Sequence, residues 1–533
     1  MAILFPYRRA RPMIKEFTGM LCNLYIVALT LLLPLYNRGT YVMLGDAKYS
    51  LFQSASLFCL GLWAVTSLVG WLAQTMDMLR TVGTKEWFMS SIHRVRVKKF
   101  SPLMDMCMLL YGGAVVISAL CSSYGATAWT GYQDWHMGAI SQLLFVGIYF
   151  FVSRAYKGNS WPIYLWEAAF FLVILLGLCS RLGFDPLGLL QEINSGDWEY
   201  SHLISTIGNI NWFCGYCSIA LAMPLAGYLR GRTTKKTLLL YLVSVMGFIL
   251  LCIQGSDVGP VLAAAAIAVC MLWGYKNVII FRRTLLLVAG MTFGLPCYAG
   301  LVRLRGEAAM KAIPADGLGL STLGWGGWWL MGLVCVGLYF LLRRLSVNQD
   351  RAAAVVKGLW LGMIILGMAA LAMGGALYLR WLFNSQVWAD GRGALWRLAW
   401  QGFLRGDLKQ KLLGAGPDCF AEYVYSIFAP SELFTVEGHW AGAVFANAHN
   451  QWLNHLVNIG VLGLLSAIGL FVAAVRRYRG FLTGVLVLAM YGVNSLVSFQ
   501  QVLSTPLFFL MLGICEYKCR QVNQMERRRT RNN

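Results

Sequence analysis

Residues 237–254 read T-L-L-L-Y-L-V-S-V-M-G-F-I-L-L-C-I-Q, and residues 260–275 read P-V-L-A-A-A-A-I-A-V-C-M-L-W-G-Y. Neither stretch contains a charged side chain, and each approaches the roughly 20 apolar residues that a helix needs to cross a bilayer. A short turn containing Gly255-Ser256-Asp257 separates them, and lysines and arginines lie at their two far ends. This pattern predicts two antiparallel transmembrane helices joined by a tight turn.

The same pattern extends along the whole chain. Of its 533 residues, 58% are hydrophobic and 13% are charged, whereas soluble globular proteins average about 45–50% apolar and about 25% charged. The formal net charge of +21 would favour nucleic-acid binding in a soluble protein. Here the basic residues occur in short runs between apolar spans, which is how membrane topology is encoded. We therefore predict an all-α, polytopic transmembrane bundle of about 12–14 spans and no nucleic-acid partner.

The basic runs also predict the orientation. With the N-terminus in the cytoplasm, runs such as residues 94–99 and 476–479 all fall on the cytoplasmic side, as the positive-inside rule requires. We expect a multi-pass protein of the bacterial cytoplasmic membrane with both termini in the cytoplasm. The predicted division is residues 1–379 for transmembrane helices one to about eleven, 380–449 for one long extracytoplasmic loop with short amphipathic helices, 450–517 for C-terminal transmembrane helices, and 518–533 for a basic cytoplasmic tail.

The predicted loop departs from this charge pattern. Short outer loops normally avoid basic residues, but this loop keeps six: Arg380, Arg392, Arg397, Arg405, Lys409 and Lys411. The structural alternative is that long loops translocate regardless of charge. We favour a functional role, because the planar guanidinium group donates paired hydrogen bonds that suit phosphate.

Residues 391–406 of this loop predict an amphipathic helix. Leu395 and Leu398 fall on one face, Arg397 and Arg405 recur on another, and tryptophans lie between them. Such a helix lies in the membrane interface, at the height of the lipid headgroups. It either holds a phosphate-bearing ligand or only anchors the loop to lipid. The following turn, residues 414–416, contains two glycines that let a ligand approach the backbone.

The most informative motif is residues 448–463, A-H-N-Q-W-L-N-H-L-V-N-I-G-V-L-G. His449 lies where the loop ends and a membrane helix begins, and histidine is well matched to proton transfer near neutral pH. Asn450, Asn454 and Asn458 form a polar stripe, which in a membrane faces the bundle interior or a wet cavity. The alternative is that His449 caps the helix and the asparagines connect helices. Asn494, Ser498 and Gln501 predict a second stripe at the outer end of the next span.

Further polar residues lie at the outer ends of other predicted spans. Asn209 and Asn211 precede span six, Asp257 lies in the short turn, and Arg303 and Arg305 end span nine. Asp257 either caps the next helix or belongs to the same cavity. The six histidines show no spacing suited to joint ligation with a carboxylate, so we predict no metal site.

At these positions the chain resembles the O-antigen ligase and O-antigen polymerase superfamily of bacterial envelope glycosyltransferases. The likeness covers the pattern of spans and four short motifs: the helix entry at 208–211, Arg392-x-x-x-Trp396, the turn at 414–416, and His449-Asn450 followed by Gly460-x-x-Gly463. The histidine motif is the most specific of these, since the glycines alone would mean little.

The resemblance implies transfer of a glycan from a polyprenyl-diphosphate donor to a glycan, lipid or wall-polymer acceptor. It implies that His449 is the catalytic histidine and that Arg392 meets the diphosphate, without a metal or another cofactor. Asn450, Asn209, Asn211, Trp396 and Gly416 are then candidate substrate-binding residues. Members of the superfamily often carry an arginine where this chain has Asp257, so Arg303, Arg305 or Arg397 would have to replace it.

Three other functions compete with this interpretation. A lipid-linked oligosaccharide flippase can also be basic and polytopic, but it would be expected to show two similar halves, which the sequence lacks. A scaffold would leave the arginines and the histidine unexplained. A peptidoglycan-type polymerase would differ only in substrate. The sequence does not distinguish a ligase from a polymerase, and it identifies neither the sugar, the acceptor nor the oligomeric state.

Overall fold

The computed structural model describes residues 7–82, 102–194, 198–232, 234–305, 324–346, 350–362, 392–437 and 444–532. The basic run at 94–99, the predicted span beyond residue 362 and loop residues 380–391 lie outside the described residues.

The described chain is almost entirely helical. Its helices are α1 (Tyr7–Val27), α2 (Leu33–Leu35), α3 (Leu44–Val82), α4 (Pro102–Cys121), α5 (Ala126–Thr130), α6 (Ala139–Ala155), α7 (Trp161–Arg181), α8 (Trp198–His202), α9 (Ile210–Ala220), α10 (Ala222–Arg230), α11 (Lys235–Ile253), α12 (Val258–Gly274), α13 (Val278–Arg305), α14 (Gly324–Leu345), α15 (Arg392–Arg405), α16 (Leu408–Leu413), α17 (Phe420–Ile427), α18 (Pro430–Glu437), α19 (Gln451–Tyr478), α20 (Leu482–Ser495) and α21 (Thr505–Asn532). Strands β1 (Leu203–Ile204) and β2 (Gly208–Asn209) pair antiparallel, with Ile204 opposite Gly208.

The chain is a multi-pass helical membrane protein. Among the described residues, nine helices are long and apolar enough to cross a membrane, and α6, α12 and α20 are shorter apolar helices. The all-α bundle predicted from the sequence is confirmed. The total of about 12–14 spans stays a prediction. The hairpin predicted for residues 237–275 corresponds to α11 and α12.

One end of the bundle is held by a buried ion cluster. Asp105 and Glu516 are fully buried, and Arg520 bridges them at 3.0 and 2.8 Å. Arg154 pairs with Asp105 at 2.8 Å, and Arg477 pairs with Glu516 at 3.0 Å. Arg477 and Arg520 belong to the basic run at 476–479 and to the basic tail at 518–533, and Arg154 lies in the last turn of α6. All three arginines therefore have a structural role as partners of buried carboxylates, and the predicted tail begins as the continuation of α21.

The other end is organised by a break in α19. Gly460 has φ 67° and ψ −171°, far from helical values. The carbonyls of Val457 and Asn458 at this break accept hydrogen bonds from the amides of Ala415 and Gly416, at 2.9 and 2.8 Å. The glycine turn of the predicted loop is thereby bonded to the backbone of a transmembrane helix.

Only glycine fits on both sides of this contact. Gly414 has φ 79°, and a Cβ there would collide with the main-chain carbonyl of Asn458. A Cβ on Gly460 would collide with the main-chain carbonyl of Leu412. Both residues therefore need a positive φ and a missing side chain at once. Helix α4 and the residue that follows it complete the contact. Ser118 Oγ on the helix donates to the carbonyl of Asn458 at 3.0 Å, and Ser122 Oγ just after it donates to that of Ala415 at 2.6 Å.

We predict that Gly460→Ala and Gly414→Ala each destabilise the protein by at least about 1–3 kcal/mol, the range for a strained backbone residue. Gly469→Ala is the matched control, because it lies on the same helix and its Cβ would meet nothing closer than Cys107 Sγ at 3.9 Å. Thermal unfolding of the purified protein in detergent measures the difference. Equal melting temperatures for Gly460→Ala and Gly469→Ala would show that the backbone contact is not required.

Candidate functional site

Helix α15 brings Arg392 into the interior. It packs against α19, with Leu395 and Leu398 buried at 1% and 4% exposure, whereas Arg397 and Arg405 are exposed. Arg392, the first residue of the helix, is only 8% exposed, and its Nη2 donates to Asn211 Oδ1 at 3.4 Å. The helix therefore separates a buried arginine from those on its outer face.

At the start of α19, the helix cap is formed by Asn450, the residue after His449. Asn450 is the N-cap: its Oδ1 accepts hydrogen bonds from the amides of Trp452 and Leu453 at 3.0 and 3.1 Å. Its Nδ2 donates to the carbonyl of Leu496 at 2.9 Å, which attaches this helix start to the segment after α20. The helix cap is thus supplied by Asn450 and not by His449.

The backbone presents His449 in an unusual conformation. Its φ is 46°, a region that a residue with a side chain adopts only when its surroundings hold it. Here the amide of His449 donates to Asn447 Oδ1 at 3.0 Å, and the half-buried imidazole meets the ring of Phe499 edge-on at 5.1 Å. Such outliers concentrate at functional sites, where strain fixes the aim of a side chain.

The surroundings keep His449 neutral. Burial, and then the positive charge of nearby Arg392, lower the pKa of the imidazole to about 3. At neutral pH the ring is therefore unprotonated, but the low pKa also makes it a weak base while no anion is bound. An anion bound at Arg392 would cancel part of this charge and raise the pKa of His449 again.

Asn211 joins Arg392 to the short turn before α12. Its Oδ1 also accepts a hydrogen bond from Ser256 Oγ at 2.7 Å, and the carbonyl of Ser256 accepts one from Gln254 Nε2 at 2.9 Å. Asn209 caps α9 by accepting from the amide of Asn211 at 2.8 Å, which fixes the backbone there. The structure therefore brings together Arg392, Asn211 and the 254–256 turn.

The other predicted binding residues occupy the start of α12, the end of α13, α15 and the glycine turn. Asp257 is exposed and occupies the N-cap position of α12 without a side-chain cap bond. Arg305 donates to the carbonyl of Leu182 at 2.6 Å, and its guanidinium lies over the ring of Phe184 at 3.9 Å. Arg303 is exposed on the same helix end. Trp396 is half-buried on α15, and Gly416 takes part in the backbone contact with α19.

The second predicted stripe is not on a helix. Asn494 lies on α20, but that helix ends at Ser495, so Ser498 and Gln501 lie in the non-helical connection 496–504. Both are buried at 4% exposure. The prediction of a helical stripe was wrong because a period of four residues cannot show where a helix stops. Non-helical backbone at membrane depth is tolerated where protein covers it or where it lines a wet cavity.

Several buried polar atoms around this connection have no hydrogen-bond partner among the described residues. They are Gln254 Oε1, Asn458 Oδ1, Asn494 Oδ1, Ser504 Oγ and both side-chain polar atoms of Gln501. Buried polar groups are as a rule hydrogen-bonded, so these atoms suit water or a polar ligand. Within the described part of the chain, no three His, Cys, Asp or Glu side chains converge as metal ligands.

Arg181 is a residue of the site that was not predicted from the sequence. It is fully buried at the end of α7 and donates to the carbonyl of Ser201 at 3.0 Å and to the carbonyl of Gln254. It thereby supports the turn that holds Asn211. The available signal was an arginine at the predicted outer end of an apolar span, against the charge trend.

No protein-family model matches this chain, and a search of curated proteins finds no match. The resemblance to the O-antigen ligase and polymerase superfamily therefore rests on the motifs of the chain itself.

We predict that Asn450→Ala lowers the free energy of unfolding by about 0.5–2 kcal/mol, because two amides lose their cap. Asn450→Ser keeps a side-chain acceptor for the helix start and should lose less stability. Denaturation of the two purified variants beside the wild type gives the comparison. If alanine and serine are equally stable at this position, the cap does not hold the start of α19.

Proposed function

We propose that the protein is a membrane glycosyltransferase of the O-antigen ligase or polymerase type. It transfers or polymerises a polyprenyl-diphosphate-linked glycan at the outer face of the cytoplasmic membrane, for cell-surface polysaccharide assembly. The observation that carries this proposal is the placement of buried Arg392 beside His449, where a loop segment is bonded to a broken transmembrane helix. In this proposal residues 380–449 are extracytoplasmic and both termini are cytoplasmic.

Arg392 is suited to the leaving group. A buried guanidinium group can donate paired hydrogen bonds to diphosphate oxygens, and it is held in place by Asn211 at 3.4 Å. As the bond between the anomeric carbon and the diphosphate oxygen breaks, negative charge grows on that oxygen. A positioned cation stabilises this charge most strongly where water is scarce.

His449 is suited to the acceptor. Its neutral imidazole takes the proton of the acceptor hydroxyl while the hydroxyl oxygen forms the new bond to the anomeric carbon. The reaction therefore balances: one carbon–oxygen bond replaces another, the proton goes to His449, and the polyprenyl diphosphate leaves. A ligase and a polymerase share these steps and differ only in the acceptor hydroxyl.

The transfer reaction of purified protein tests this proposal. We expect His449→Gln to lower the rate of polyprenyl-diphosphate release by about 10²–10⁴ and Arg392→Ala by about 10²–10³. Arg405→Ala is the matched control on the same helix, because Arg405 forms an exposed ion pair with Glu432, and such pairs contribute little. All variants are compared at equal folded yield.

Full turnover by His449→Gln would contradict the assignment of the base. Transport of the donor across liposome membranes without cleavage would contradict the transferase assignment and favour a flippase.

The charge linkage between the two residues gives a second test. We expect His449 to stay neutral in the free protein down to about pH 4, since its pKa lies near 3, and to gain a proton at higher pH once polyprenyl diphosphate is bound. Histidine-selective NMR, with His449→Gln to assign the signal, measures both pKa values. A pKa near 6.5 that does not respond to the diphosphate would show that Arg392 and the ligand do not act on His449.

A further inference from the structure

Residues 131–138, between α5 and α6, form a loop that the proposed function does not yet use. Its Trp135 meets the ring of Phe499 edge-on at 4.7 Å and the ring of Trp212 at 5.7 Å. Phe499 in turn contacts His449 at 5.1 Å, and Trp212 follows Asn211 in the chain. Trp135 therefore lies between the proposed base and the residue that holds Arg392.

The loop is built in a strained form. Asp134 and His136, on either side of Trp135, have φ values of 68° and 54°. Gly131 has φ 96°, and a side chain on Gly131 or Gly138 would collide with backbone atoms of the other end of the loop. Non-glycine residues keep such conformations only where the surrounding structure holds them, and they concentrate at ligand-binding sites.

Asp418, from the segment after the 414–416 turn, stabilises this conformation of the 131–138 loop. Its Oδ2 accepts hydrogen bonds from the amides of Tyr132 and Met137, each at 2.8 Å, so one carboxylate oxygen closes both ends of the loop around Trp135. Asp418 is 6% exposed and itself has φ 62°. It follows the 414–416 turn by two residues, which couples the loop to the backbone contact on α19.

A second contact fixes the same loop to α3. His136 Nε2 lies 2.9 Å from Asp46 Oδ1, and its ring stacks on Tyr49 at 4.2 Å. Trp135 is half-buried, as is Trp212. The part of the Trp135 ring that Phe499 and Trp212 leave uncovered is therefore open to a ligand next to His449.

We propose that Trp135 is the binding surface for the first sugar of the donor, that the buried ring of Phe499 supports it from behind, and that Asp418 positions it. The apolar C–H face of a pyranose ring packs on aromatic rings, which supply a large rigid surface at low entropic cost. This sugar has to lie between the diphosphate at Arg392 and the acceptor hydroxyl at His449, which is where Trp135 lies. The proposal rests on the proposed function and adds to it the residue that recognises the sugar.

Binding measurements separate this proposal from the reaction. The probes are undecaprenyl diphosphate and the same lipid carrying one N-acetylglucosamine, titrated into folded full-length protein. We expect Trp135→Ala to weaken binding of the sugar-bearing lipid roughly three- to tenfold and to leave the bare lipid unchanged, with Trp135→Phe in between. Trp400→Ala is the matched control, because Trp400 is 49% exposed on the outer face of α15.

Variants of Asp418 test its positioning role. Asp418→Ala should reproduce the loss of Trp135→Ala, because both amides lose their acceptor, whereas Asp418→Asn keeps an acceptor oxygen and should restore most of the sugar-dependent binding. A merely structural role would weaken both lipids equally.

Equal weakening of both lipids by Trp135→Ala overturns the sugar site and makes Trp135 a lipid contact. Equal affinity of the wild type for both lipids also overturns it, while transfer that depends on His449 would stand. If the wild type binds neither lipid, both the proposed function and this inference fail.

Discussion

The backbone contact between the 414–416 turn and the break at Gly460 is the constraint on which the rest of the site depends. Two glycines meet there at positive φ, and main-chain amides of one segment pair with main-chain carbonyls of the other. Side chains can adapt to a shift of their partner, but two backbones in direct contact cannot. The segment with Arg392 and Asp418 is therefore fixed against the helix that begins after His449.

The same helices connect this contact to the opposite end of the bundle. Helix α4 carries Asp105 of the ion cluster in its first turn and Ser118 in its last turn, and Ser122 follows its end. Ser118 and Ser122 donate to the two segments of the glycine contact. Helix α19 carries Asn450 at its start and Arg477 near its end. A lost partner in a buried ion cluster costs about 3–5 kcal/mol, so the cluster can keep α4, α19 and α21 in register. The polar end is then free to contain strained and unpaired groups.

The sequence was sufficient for the all-α, multi-pass bundle, and it pointed to several residues of the candidate site whose roles stay predictions. Apolar length and basic runs predicted an all-α membrane bundle, and the residues at the start of α19 and α15 were identified because polar and basic groups in such places are unusual. The break at Gly460 and its contact with Gly414 were not predictable, since a glycine in an apolar run does not reveal which distant backbone approaches it. Trp135 and Asp418 were missed for the same reason, because their partners lie far away in the chain. Arg181, in contrast, carried a signal, as an arginine at the predicted outer end of an apolar span. Ser498 and Gln501 were wrongly predicted to lie on a helix, because the residue pattern does not show that α20 ends at Ser495.

The central claim is that Arg392 receives a diphosphate beside His449. An experimental structure of the full chain with undecaprenyl diphosphate in a lipid bilayer mimic tests it most directly. We expect diphosphate oxygens within about 3 Å of the Arg392 guanidinium, with the His449 ring at the side where the sugar would be attached. A diphosphate bound instead at Arg303, Arg305 or Arg397, away from His449, would contradict it.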